Sequence, residues 1–185
     1  AVSLVERQVS LLRERNIESR QRLSRLLEHA RDNDELFTKT RQLILALLEA
    51  STLEQLSQTL VQSIRREFGV EHCHLLLVTD HGSCWSEGGE SIPRDAAEAT
   101  LKSMFRPGKP IVGPLRPQER ELLFAADAEA VHSAVVVPIG VGTPSALLVA
   151  GSSDARRFHG EMGTLFMEFI GDALQRLLPR FVENP

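Results

Sequence analysis

At 185 residues, 42% of them hydrophobic and with a net charge of −4, the chain is long enough for one domain with a real core plus an extension. Its pI near 5.9 gives no global attraction to nucleic acid or an anionic membrane. No apolar run is long enough to span a bilayer, and the charged opening residues are unlike a secretory signal.

The chain begins at Ala1 without Met and already inside an expected helix, so a segment upstream is expected to be missing. Residues 1–50 predict one continuous helix with a heptad seam. Val2, Val5, Val9, Leu12, Asn16, Ser19, Leu23, Leu26, Ala30, Asn33, Phe37, Thr40, Ile44 and Leu47 alternate in spacings of three and four. Asn16, Ser19, Asn33 and Thr40 weaken such a seam but can fix register and strand number. The expectation is a homodimer with Val5, Val9, Leu12, Asn16, Leu23, Leu26 and Phe37 at its interface. Orientation stays open. A parallel pair sets Arg15 against Arg20 but His29 beside Asp34. An antiparallel pair centred on Leu23 to Leu26 matches Asn16 with Asn33, Arg13 with Asp34 and Glu6 with Arg41. The alternative is a helix packed along its own domain. Asp32-Asn33-Asp34 marks a candidate kink or restart, because these side chains compete for backbone donors.

Residues 51–185 form the expected domain. Ser51-Thr52-Leu53-Glu54 has the capping-box form, Leu56, Leu60, Val61, Ile64 and Phe68 follow at helical spacing, and Gly69 fits the helix end. A strand from His72 to Val78 comes next, then turn residues Asp80 to Ser83 and a short strand around Trp85. Pro93 can open a helix reaching Phe105, closed by Pro107-Gly108. Ile111-Val112 reads as a brief strand, and Pro117 opens a helix through Phe124. Val135, Val137 and Ile139 alternate along a strand, Gly142-Thr143-Pro144 turns the chain, and Ala146 to Ala150 returns it. Met162, Leu165, Phe166, Phe169, Ile170, Ala173, Leu174 and Leu177 then repeat at helical spacing. The fold class is α+β: an antiparallel sheet flanked by helices and preceded by a long N-terminal helix.

This order, and the stretch His132 to Leu178 in particular, resembles a GAF domain over roughly residues 51–180. ERQVSLLRERN and GSSDARRFHGEMGT are similar to a bacterial family, domain of unknown function 484, which places a helical segment before a GAF-like domain. The resemblance implies sensing and regulation without an enzymatic activity. It also implies a ligand region between the sheet and residues 84–134. There Trp85 and Phe105 could stack on a planar ligand, Arg106 and Lys109 could meet an anion, and His132 and Ser133 could supply hydrogen bonds.

Other chemistry is weak. His72 and His74 share one strand face, but no HxxxH or CxxC pair completes a metal site, so none is expected. Cys73 and Cys84 are read as free cytosolic thiols, Cys73 as a core residue. A GAF-type methionine sulfoxide reductase built on them is a distant alternative. Gly140-Val141-Gly142 is a turn rather than a phosphate loop, and no cyclic-nucleotide or chromophore signature is present. Glu119 and Glu121 are read as solvated charge. The arginines of the first helix are interspersed with Glu6, Glu14, Glu18 and Glu28, so nucleic acid is not an expected partner. The leading expectation is a cytoplasmic, non-enzymatic sensory domain with no cofactor, dimeric, taking an unidentified small molecule. A protein-interaction adaptor with a filled pocket is the alternative.

Overall fold

Unbroken helical spacing gives α1 (Leu4–Leu48), a single helix about 67 Å long at 1.5 Å per residue. The structure, a computed structural model, describes residues 3–80, 84–86, 89–101, 109–140, 144–159 and 164–182, without the side chains of 84–86, 89 and 182. The helix runs through Asp32 to Asp34 with no kink or restart, because extending an existing helix needs no new nucleus. The chain forms two compact units, Ala1–Lys39 and Thr40–Pro185. Thr40, Leu43 and Leu47, at the C-terminal end of α1, are buried in the second unit.

In that unit α2 (Leu53–Phe68) starts one residue later than the expected box. Thr52 is the cap, its hydroxyl accepting the Gln55 N–H at 3.1 Å, while the Gln55 side chain accepts the Ser51 N–H at 3.0 Å. Gly69 closes the helix at φ 61°, a left-handed conformation that glycine adopts without strain. The strands are β1 (His72–Thr79), β2 (Cys84–Ser86), β3 (Gly89–Pro93), β4 (Ile111–Gly113), β5 (Ser133–Ile139) and β6 (Ala146–Ser152). Between them lie α3 (Arg94–Leu101) and α4 (Pro117–Phe124), the latter followed by a 3-10 turn, Ala125–Asp127; α5 (Leu165–Leu177) and α6 (Pro179–Val182) end the chain. Met162, the turn centre Gly142-Thr143 and the expected helix end at Pro107-Gly108 lie outside the described residues.

The sheet has the order β2-β3-β1-β6-β5-β4. Its pairings are antiparallel except one: β3 inserts between β1 and β2 and runs parallel to β1, with Leu77 opposite Ser91. The sequence reading lacks β3 because only Ile92 in it is a buried apolar residue. Pro93 ends this strand rather than opening the helix, a place where its missing N–H costs little.

Helices cover both faces, so β6 is buried from end to end rather than alternating. On one face Cys73, Leu75, Val135, Val137 and Leu148 pack with Leu43 and Leu47 of α1, Leu56 and Leu60 of α2, and Ile170 and Leu174 of α5. On the other, Leu76, Val78, Val136, Leu147 and Val149 pack with Leu101 of α3 and Leu123 and Phe124 of α4. Gly151 is required there, because an added Cβ would lie 2.8 Å from Phe124 Cε1 and from Val131 Cγ2.

Candidate functional site

Two regions carry the expected function: the seam of α1 and the sheet face beneath α3 and α4. Along α1 every expected interface residue, Val5, Val9, Leu12, Asn16, Leu23, Leu26 and Phe37, is exposed in the single chain. Leu23 is 57% and Phe37 69% exposed, so burial against another surface would remove much apolar area from water. A shallow groove on this helix is lined by Val9, Leu12, Arg13, Asn16, Ile17 and Arg20.

The second region is less uniform. Among the described residues the space between sheet and α3/α4 is occupied by apolar side chains, Phe124 among them. Phe105 and Arg106 lie outside the described residues, as does the Trp85 side chain, although its backbone belongs to β2. Lys109 and His132 are exposed. The register that sets Gly113 opposite Ala134 and Ile111 opposite Val136 carries Lys109 toward the far end of the strand pair from His132. Lys109 and His132 therefore do not converge.

Ser133 is committed elsewhere. Its hydroxyl donates to the Asp154 carbonyl at 2.6 Å and accepts the Phe158 N–H at 3.2 Å, and the residue is fully buried. It anchors the loop after β6. Asp154 Oδ1 accepts the Arg156 N–H at 2.9 Å, and the Arg157 guanidinium donates to the Phe68 carbonyl at the end of α2. The Glu71 carboxylate accepts the Ser153 hydroxyl at 2.7 Å. Hydrogen bonds from Ser152 and Ser153 hold its carboxyl below the usual carboxylate range. The segment Ser152 to Phe158 thus stitches α2 to the β5–β6 pair. Glu119 is likewise structural rather than solvated: it is buried and accepts the Arg116 N–H at 2.7 Å, capping α4.

One polar cluster stands beside the apolar face. His72 and His74 point to the α4 side of β1, as strand alternation requires, and meet Asp127 from the 3-10 turn. His72 Nδ1 is 3.1 Å from Asp127 Oδ2, and His74 Nε2 is 3.8 Å from the same oxygen. His74 meets Phe124 edge-on at 6.0 Å, and neither of its ring nitrogens has a hydrogen-bond partner. Burial lowers its pKa from 6.5, so the neutral ring is favoured. The pairing of the two histidines was legible in the sequence; Asp127, distant along the chain, was not. Among the described residues no set of three His, Cys, Asp or Glu side chains is arranged to hold a metal ion. Cys73 faces the opposite core, where burial pushes its thiol up to about 12, the reverse of what a nucleophile needs. The Cys84 side chain lies outside the described residues.

Comparison with known proteins fits this architecture. The family model described as protein of unknown function, DUF484, matches residues 1–183. The chain belongs to the DUF484 family. Among solved structures it is similar to the GAF domain of A. Aeolicus nlh2, crystallised in an inactive state, with a TM-score of 0.54 and 12% identity over 80% of this chain and 98% of that one. At that identity the likeness establishes the GAF-like fold and nothing about ligand or activity. No curated protein matches the chain. Among the described residues of this DUF484 chain, no helix is long and apolar enough to cross a membrane.

Proposed function

We propose that this DUF484 chain is a cytoplasmic, non-enzymatic regulatory domain that dimerises through its N-terminal helix and acts by protein contact. The exposed seam of α1 carries this reading: apolar side chains at heptad spacing lie open in the single chain. The apolar filling beneath α3 and α4 supports an adaptor over a sensor with an open pocket. The buried, high-pKa thiol of Cys73 supports a non-catalytic role over the cysteine-based reductase.

Light scattering on the full chain and on Leu23→Glu/Leu26→Glu tests the pairing. The expected outcome is a dimer that becomes a folded monomer in the variant. A monomeric wild-type chain at tens of micromolar would refute it.

A small-molecule sensor is the second reading, favoured by the unpartnered ring nitrogens of His74 beside Asp127 on the α4 side of the sheet. A reproducible mass adduct in native mass spectrometry, lost in His74→Leu, is its expected signature. An adduct-free wild type across candidate metabolite mixtures counts against it.

A further inference from the structure

The exposed seam of α1 reads the same in both directions. From Leu12 to Phe37 its residues are a large apolar side chain, an amide, a small side chain and a leucine, then a leucine, a small side chain, an amide and a large apolar side chain. Folding this pattern about the midpoint between Ser24 and Arg25 pairs Leu23 with Leu26, Ser19 with Ala30, Asn16 with Asn33, and Leu12 with Phe37. We infer that two copies of α1 pair antiparallel in this register, with every layer matching like with like. The inference rests on the dimer reading above and adds the orientation, which that reading leaves open.

Three observations carry it. First, the palindrome has no role in a parallel homodimer, where each residue meets its own copy whatever the sequence; an antiparallel pair needs it. Two-fold symmetry then forms each pairing twice. Second, the flanking charges discriminate. Antiparallel packing brings together Arg13 and Asp34, positions just outside the seam and both exposed in the single chain. Arg20 then meets Leu27, Arg15 meets Leu36, and Arg22 meets His29. The parallel alternative sets Arg15 against Arg20 of the other copy, twice, and regains only His29 with Asp34. Third, α1 is unbroken through Asp32 to Asp34, so one register holds from Leu12 to Phe37. The outermost layer ends at Phe37, just before the second compact unit begins at Thr40. Asn16 opposite Asn33 also specifies the register, since a one-heptad slip would set Asn33 against Leu23 or Val9.

Spin labels on the full chain decide the orientation. In a Cys84→Ser background, with Cys73 buried, Ser10→Cys and Ser24→Cys each place one label off the seam. Antiparallel pairing separates the two copies of residue 10 by 29 residues of helix, about 44 Å along the axis, while residue 24 lies beside the symmetry axis at roughly 10–20 Å. The expected result is a long distance at residue 10 and a short one at residue 24. Short distances at both positions would overturn the antiparallel register while leaving the dimer intact. Absence of any dipolar coupling at residue 24 would overturn the pairing itself. Arg13→Asp provides an independent check: it should weaken the dimer about tenfold, and Arg13→Asp/Asp34→Arg should restore it. Failure of the double variant to recover affinity would count against this register.

Discussion

Ser133→Ala separates a structural hydroxyl from a ligand contact. The side chain has no exposed surface, donates to the Asp154 carbonyl at 2.6 Å and accepts the Phe158 N–H at 3.2 Å. Alanine fills nearly the same volume, so no cavity forms. What is lost is the partner of an amide in buried Phe158, at a cost of about 1–3 kcal/mol, together with the bond to Asp154, worth about 1 kcal/mol because that carbonyl belongs to an exposed residue and can turn to water. The expected destabilisation is about 2–4 kcal/mol, equivalent to a fall in Tm of roughly 5–12 °C for a chain of this size. Urea unfolding followed by circular dichroism, at equal protein concentration, measures it. Asp154→Ala serves as the comparison: it removes only an exposed bond to the Arg156 N–H and should cost under about 1 kcal/mol. A loss below about 0.5 kcal/mol for Ser133→Ala, with an unchanged denaturant slope, would refute the clamp. Loss of a bound small molecule at unchanged stability would restore the ligand role read from the sequence.

Further measurements probe other parts of the fold. A Cys73 thiol at about 12 is roughly 10⁻⁴ ionised at pH 8, so iodoacetamide should modify it only after unfolding in urea; rapid labelling of the native chain at Cys73, mapped by mass spectrometry, would contradict its burial. His74 is held neutral by burial, so the unfolded chain takes up its proton first; stability is complete above pH 6.5 and is lost as pH falls from there through the lowered native pKa. His74→Gln should flatten that slope below about pH 6.5, and equal slopes in denaturant titrations would dismiss the effect. Gly171→Ala places a Cβ 2.7 Å from Val137 Cγ1, while Gly151→Ala drives one into both Phe124 and Val131. Each should cost about 1–3 kcal/mol in the same unfolding assay, with Gly151→Ala the worse, and a neutral Gly151→Ala would show that the α4 side is loosely packed.

The parts of the fold legible in the sequence are those with a local physical cause. Pro117 starts α4 where the sequence places it, because its missing N–H belongs to the first turn. Gly69 ends α2 because a left-handed residue is needed there. The cap of α2 was displaced by one residue because Ser51-x-x-Glu54 and Thr52-x-x-Gln55 satisfy the same pattern, and only the backbone conformation of Thr52, extended at φ −129°, decides between them. Non-local features were hidden. A serine at the start of a strand looks alike whether it faces a ligand or a loop, and Ser133 is resolved only by Asp154 and Phe158, brought to it by the fold. The parallel placement of β3 has the same origin: five residues with one buried apolar side chain carry no signal of which strand they will join. Asp127 joins His72 and His74 through a turn that no spacing rule connects to them.

Under the regulatory reading, α1 links the core to the pairing surface by its own backbone. Leu43 and Leu47 lie in the core with α2 and α5, while Leu12 to Phe37 of the same uninterrupted helix carry the seam. A partner that favours one packing of Leu43 and Leu47 shifts the pairing equilibrium by no more than its differential affinity for the two states. The polar layers make that limit sufficient. A seam with leucine in place of Asn16, Ser19, Ala30 and Asn33 would bury far more apolar surface and hold the pair at any cellular concentration. With those residues the proposed pairing would be weakened toward the range where about 1.4 kcal/mol, a tenfold change in affinity, moves the population. Asn16→Leu/Asn33→Leu should therefore tighten the dimer well beyond tenfold, so that at micromolar concentration its dimeric fraction no longer shifts with changes in the core such as Leu47→Ala. A coil that tightens yet still dissociates at that concentration on Leu47→Ala would refute the argument that the polar layers poise the equilibrium.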